Sequence, residues 1–383
     1  MTRVPRVSLS FFGVFVLLLA VLSSIGIAGT SRATAFAAQD TPLSCSPLAS
    51  SGSATPAAAS PAASAAAPVE VPEDAIEVTV GYVPVAIYAP VFVALDKGYF
   101  AEAGLDVTLE PFAGGPEPIT LTASGELDFA AIGAGPEFWN VISSGLPISV
   151  IAPGHAEGSP VATPLMISKE NCDSGAIASV ADLEGKKVSV NARGATEYWL
   201  GQALSTAGLT LDDIDLQVLP FPDAVAALAA GAIDAAMVGE PLATQAEQDG
   251  LAVRLLADFP VQNIQPTAII GNTDFLEDNP EAAQGFVTAY LRASRDLTGG
   301  GFKEPTNLAI IETYTSVPAS LISQAVQPFY QPDGYIDPAS FSTLQTFFRE
   351  RDQLEYDDDI DPTTFIDTTY VDAAVAALGP YQP

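Results

Sequence analysis

From Ile76 onward, hydrophobic and polar positions follow two rhythms in turn. "IEVTVGYV" (76–83) alternates with period two, as a half-buried strand does. "PVFVALDKGYFAEAG" (90–104) has helical spacing, with Pro90 suited to a first turn and Gly104 to a C-terminal stop. "LDVTLEPF" (105–112) returns to the strand period, so these segments predict a strand–helix–strand unit with short links. The alternation continues through a helix after Pro116, strand "DFAAIG", a helix after Pro136 and strand "ISVIAPG". Next come "KKVSVN", "ATEYWLGQALSTAG", "DLQVLPF", "PDAVAALAAG" and "DAAMVG", again strand and helix in turn, and a helix from Pro241. After "PTAIIGN" (266–272) the chain turns almost wholly helical, with "DNPEAAQGFVTAYLRASRDL" (278–297) the longest segment. The pattern predicts an α/β fold of mixed sheets flanked by helices, ending in a helical C-terminal region.

One stretch repeats itself. "ASGELDFAAIG" (123–133) aligns with "AAGAIDAAMVG" (229–239): each ends a helix at Gly (Gly125, Gly231) and opens a strand at Asp (Asp128, Asp234). Each then closes the strand at Gly (Gly133, Gly239), and a Pro begins the next helix (Pro136, Pro241). As the same position in two similar units, this echo predicts two lobes with matching loops that face one another. Ligands of open α/β sheets bind at the carboxyl ends of the strands. The segments at those ends are "PVAIYAP", "FAGGPEP", "GAGPEFW", "NARGATEYW" and "GEPLA". Gly114, Gly115, Gly133, Gly135 and Gly194 let backbone approach a ligand, and the helices that begin there offer unpaired N–H groups. Arg193 could add a forked charge-assisted contact, and Glu240 could accept from a donor-rich ligand. Tyr88, Phe112, Phe138, Trp139, Tyr198 and Trp199 lie near the same loops, where they either stack on a flat heteroaromatic or pack the core.

The N-terminal region changes the picture of where the chain works. Arg3 and Arg6 precede an apolar run from Leu9 to Ala28, and "TAFAAQD" follows with small residues, a signal-peptide layout with cleavage after Ala38. A run of that length could also stay as an anchor. Residues 39–75 are Ala/Ser/Pro-rich and predict a mobile tether. Cys45 in "PLSC" invites a lipid-anchor reading, against which Pro42 stands where an apolar residue is usual; Cys45 and Cys172 could also bridge in an oxidising compartment. The formal charge of −32 over 383 residues argues against nucleic-acid binding, since so acidic a surface repels phosphate backbones. The sole histidine, His155, and the absence of a Cys cluster leave no material for a His-based metal site or a Cys–His nucleophile. No cofactor is expected.

Four segments, "GYVPVAIYAPVFVALDKGYFAEAGLDV", "FAGGPEPITLTASGELDFAAIGAGP", "SVADLEGKKVSVNARGATEYWLGQALSTAGL" and "DAVAALAAGAIDAAMVGEP", appear in an order that carries a resemblance. The chain resembles the solute receptors of ABC importers for sulfonates, nitrate, taurine and thiamine-pyrimidine precursors. The resemblance implies a type II periplasmic-binding-protein fold of two lobes that close on a ligand. It also implies ligand contacts near Tyr88, Gly115 and Pro116, Gly135 and Pro136, Arg193, Gly194 and Thr196, and Glu240. The implied partners are a small-molecule ligand and an importer's permease and ATPase, met as a monomer outside the cytoplasm, with membrane contact only through tether or permease. Many relatives carry an aromatic residue before the Glu-Pro pair, where this chain has Gly239, which leaves one wall of the pocket without its expected side chain.

On this reading the chain divides into a signal peptide (1–38), a tether (39–75), the first part of lobe 1 (76–167), lobe 2 (168–257), and a return to lobe 1 with C-terminal helices (258–383). Two other classes stay open at this level. One is an enzyme on the same fold related to thiamine-pyrimidine synthases; the other is a tethered surface protein without a transport role.

Overall fold

The computed structural model describes residues 70–113 and 115–382. The signal peptide, most of the tether, Cys45 and Gly114 lie outside the described residues. The strands are β1 (Ile76–Tyr82), β2 (Leu105–Pro111), β3 (Phe129–Gly133), β4 (Ile148–Pro153), β5 (His155–Ala156) and β6 (Leu165–Ser168). They continue with β7 (Lys187–Val190), β8 (Asp215–Val218), β9 (Ala235–Met237), β10 (Ala252–Leu256), β11 (Thr267–Asn272) and β12 (Phe329–Tyr330).

Two five-stranded sheets result, ordered β2-β1-β3-β11-β4 and β8-β7-β9-β6-β10. In the first, β1 runs parallel to β2 and β3, while β11 lies antiparallel to β3 and β4. In the second, β7 runs parallel to β8 and β9, while β6 lies antiparallel to β9 and β10. Element for element, the lobes repeat one another. The sequence echo explains part of this. Asp128 accepts from the backbone N–H of Thr79 on β1 at 2.8 Å, and Asp234 accepts from that of Lys187 on β7 at 2.9 Å. Each carboxylate thus ties the start of one inner strand to its parallel neighbour. Gly125 and Gly231, both with positive φ, end the preceding helices.

Two local features depart from the sequence expectation. The helix of residues 90–104 breaks into Ala89–Asp96 and Tyr99–Glu102, because Gly98 takes a left-handed conformation (φ 74°) between them. The strand β6 already belongs to the second sheet, so the first crossing between lobes lies in 157–164 and not at 167/168. The return crossing lies in 257–266, and the two crossing segments are hydrogen-bonded side by side. Glu157 N–H donates to Ile264 O (3.0 Å), Asn263 N–H to Glu157 O (2.9 Å) and Val161 N–H to Ala257 O (3.1 Å).

The helical C-terminal region closes the core of the first lobe. Phe286, in the helix Pro280–Asp296, stacks on Phe129 of β3 at 4.1 Å and on Phe100 at 5.0 Å. Tyr314, in the helix Pro305–Thr315, stacks on Phe92 at 4.8 Å. Further along, the helix Pro338–Glu350 brings Phe341 beside Phe138, Trp139 and Phe365.

Candidate functional site

A cavity of about 530 Å³ opens at the carboxyl ends of the parallel strands of both sheets. Its walls come from the segment after β1 (Val83–Tyr88), Gly133 at the end of β3, the segment after β7 (Asn191, Ala195, Thr196, Trp199) and Gly239–Leu242 after β9. The crossing segments supply Glu157, Ala162, Thr163 and Pro266, and the strands beside them, β5 and β11, supply His155 and Thr267. A third wall comes from the C-terminal region: Phe302, Thr315, Val317, Ile322, Ala325, Val326 and Pro328. This size suits a small organic solute, and the lining is mostly apolar with a few placed polar groups.

Those polar groups are held in fixed states. His155 donates its backbone N–H to Thr267 Oγ1 at 2.8 Å, and its ring Nδ1 lies 2.8 Å from the same oxygen. Thr267 Oγ1 also lies 3.5 Å from the His155 carbonyl oxygen, so its hydroxyl can donate either to that carbonyl or to Nδ1, according to the ring tautomer. Burial holds the imidazole neutral, with its pKa lowered to about 4. The contact depends on Gly154, since a Cβ there would stand 2.2 Å from Thr267 Oγ1. Glu157, 2% exposed, accepts from Ala162 N–H at 3.0 Å and from Trp199 Nε1–H at 3.1 Å. Burial pushes its carboxyl pKa up, and those two donors act in the opposite direction. His155 Nε2 and Glu157 Oε1 are 4.0 Å apart, too far for a direct hydrogen bond. Asn191 Oδ1 is buried and has no hydrogen-bond partner.

Of the residues expected from sequence, Tyr88, Thr196 and Glu240 line the cavity. Tyr88 is 5% exposed, and burial pushes its phenol well above the ordinary range. Glu240 is already committed: its Oε1 accepts from Arg254 Nη2 at 2.7 Å and from Val326 N–H at 3.4 Å, its Oε2 from Thr244 N–H at 3.1 Å. Arg254 also bonds Glu247, so Glu240 belongs to a buried ion-pair network that anchors the C-terminal wall. Gly115, Pro116, Gly135, Pro136, Arg193 and Gly194 do not line the cavity. Gly115 and Pro116 begin the helix Glu117–Ser124. Gly194 approaches Pro136 across the lobes, a Cβ at 194 lying 3.3 Å from Pro136 Cδ, so these two loops meet each other. Arg193 is half-exposed and donates to Glu197 at 2.7 Å.

The aromatic residues divide in the same way. Trp139 is buried among Phe138, Phe341 and Phe365, away from the cavity, whereas Trp199 lines it. Trp199→Phe should therefore remove most of any ligand-dependent change in intrinsic fluorescence, while Trp139→Phe should leave that change intact in the same titration. The wall left bare by Gly239 is filled by Phe221, whose ring would lie 2.7 Å from a Cβ at 239. Glu157, Asn191 and the C-terminal wall are site elements that sequence reasoning did not place, and His155 it read as an ordinary loop residue in preference to a ligand donor. Among the described residues, no group of three or more His, Cys, Asp and Glu is placed to hold a metal ion.

Comparison with known proteins adds four findings. A family model described as NMT1/THI5 like matches residues 86–299. A binding protein of Brucella abortus (strain 2308) is 32% identical over 268 residues, covering 66% of this chain and 79% of that protein. The taurine-binding periplasmic protein of Escherichia coli (strain K12) is 28% identical over 251 residues, covering 64% of this chain and 74% of that one. Among solved structures, the periplasmic aliphatic sulphonate binding protein SsuA from Escherichia coli superposes with a TM-score of 0.63 at 19% identity, covering 76% of this chain and 92% of that one. At that identity the likeness speaks for the fold alone, and the shared fold is the two-lobed periplasmic-binding-protein fold.

Proposed function

Since the chain belongs to the NMT1/THI5-like family, we propose that it is the extracytoplasmic solute receptor of an ABC importer. It captures one small molecule between two closing lobes and delivers it to a membrane permease. The observation that carries this reading is the cavity at the matching strand ends of two repeated sheets, which two antiparallel crossing segments join. Such a pair of segments is where hinge closure concentrates, and a ligand drives closure by preferring the closed form. The relatives named for taurine and aliphatic sulphonates, together with the charged start, the apolar run and the small residues at 34, 35, 37 and 38, support an exported location. No helix of the described residues is long and apolar enough to cross a membrane.

We read the protein as a receptor and not as an enzyme. The two carboxylates on the cavity wall are tied up by N–H and guanidinium donors, and the imidazole is held neutral by burial. Neither arrangement resembles an acid and base poised for turnover. A calorimetric screen of small solutes tests the reading. The expected result is one-to-one binding of one chemical class without consumption of the solute, and a ligand at a hundred times its Kd should add about 2.7 kcal/mol of stability. Turnover of the bound solute would instead favour the enzyme.

A further inference from the structure

The geometry points to an uncharged or cationic solute that carries a hydrogen-bond acceptor beside a donor, such as an amide, imide or amino-azine edge, and to the exclusion of oxyanions. The inference rests on the receptor reading and concerns the same cavity. Three observations carry it.

The first is charge. Among the described residues, no Lys or Arg lines the cavity, whereas Glu157 and Glu240 do. Arg254 compensates Glu240, but Glu157 has only neutral N–H donors and a neutral imidazole nearby. A negative group placed about 4 Å from such a carboxylate would lose on the order of a thousandfold in affinity. The start of the helix Ala195–Ser205 faces the cavity and would ordinarily favour an anion. Here its first turn contains Glu197, wholly buried, whose carboxylate already engages the guanidiniums of Arg193 and Arg351, so neither is left to pair with an anionic ligand. The chain's overall charge of −32 adds a repulsive field for anions.

The second observation is the spacing of the polar groups. In its Nε2–H tautomer, the one this proposal uses, His155 offers a donor, and Glu157 presents Oε1 as an acceptor 4.0 Å away. The gap between them is bridged by a ligand edge whose acceptor meets the imidazole and whose donor meets the carboxylate. The third is Asn191, whose buried Oδ1 has no partner in the protein. A buried acceptor left unpaired is costly, and a second ligand donor would satisfy it. The flat apolar walls, with Trp199, Tyr88 and Phe221, suit the faces of a planar ring.

The test uses six probes against the whole mature protein: nicotinamide, 4-aminopyrimidine and riboflavin on one side, nitrate, taurine and ethanesulfonate on the other. Melting temperature and Trp199 emission are the readouts. The proposal expects a saturable response to at least one of the first three and silence from the oxyanions up to millimolar concentration. Asn191→Ala and Glu157→Gln should each weaken the responding probe at least about tenfold. Asn191→Ala should do so with the unliganded melting temperature nearly unchanged, which keeps the test open if Glu157→Gln folds poorly. A saturable response to nitrate, taurine or ethanesulfonate would overturn the ligand class and leave the receptor reading standing. Silence from all six would overturn the ligand class, while the receptor reading is decided separately by whether the native protein carries a solute. A donor–acceptor probe that binds both variants like wild type would also overturn the proposal, since these residues would then not recognise it.

Discussion

Glu197→Ala should destabilise the protein by about 3 kcal/mol or more, the scale seen when one partner of a buried ion pair is removed. The Glu197 side chain is wholly buried and acts as a hub. Its Oε1 accepts from Arg193 at 2.7 Å and from Arg351 Nε at 3.1 Å, and its Oε2 accepts from Gln353 at 2.7 Å. The helix Ala195–Ser205 that carries it belongs to the second lobe, while Arg351 and Gln353 follow the helix Pro338–Glu350 that packs on Phe138 and Trp139 of the first. Removing the carboxylate therefore frees a tie between the lobes as well as stranding polar groups. Chemical denaturation should show the loss as a lower midpoint. Asp212→Ala offers the control: Asp212 also pairs with Arg351 but is 85% exposed, and such surface pairs contribute little. Equal effects of the two substitutions would remove Glu197 from its place as a hub.

The second large effect is acid sensitivity at His155. Its folded pKa lies near 4, below the ordinary value of 6.5, because the ring is buried. The unfolded chain therefore takes up a proton first as pH falls. The stability tied to the neutral ring is complete above about pH 6.5 and is lost progressively down to about pH 4, a total of roughly 3 kcal/mol. Glu157 works in the opposite direction, since a carboxyl whose pKa is raised by burial binds its proton more readily in the folded protein. Comparison of wild type with His155→Gln isolates the histidine from the many carboxylates. Denaturation at pH 7 and pH 4.5 should show wild type losing about 2–3 kcal/mol more than the variant. Parallel losses would mean that the ring is protonated, or solvated, in the folded state.

How much of this was readable in the chain depends on whether the signal was local. The Asp128 and Asp234 echo was local: each Asp opens a strand and ties down its neighbour, so the two lobes were visible in sequence. Gly104 was local too, its positive φ turning the helix back to β2. Trp139 and Trp199 looked alike, each in the first turn of a helix after a Gly-containing loop. What separates them is distant: Phe341 and Phe365 cover the first, and nothing near Trp139 in sequence announces them. Arg193 is a different case. Glu197 stands four residues on, the spacing of a helical ion pair, and that pattern could have been read as competition for its charge. His155 and Glu157 gave no such sign, because their states are set by Thr267, Trp199 and Ala162, brought together only by the crossing segments and the second lobe.

Native mass spectrometry of the mature protein, purified from its own cells, tests most directly whether the cavity holds a transported solute. The account predicts one small molecule per chain, absent from a variant in which Thr163→Trp fills the cavity. Circular dichroism would verify that this variant is folded. A solute retained by the folded, blocked variant would contradict the site, and a wild-type protein that never carries a small molecule, even when offered an extract of its growth medium, would contradict the receptor itself.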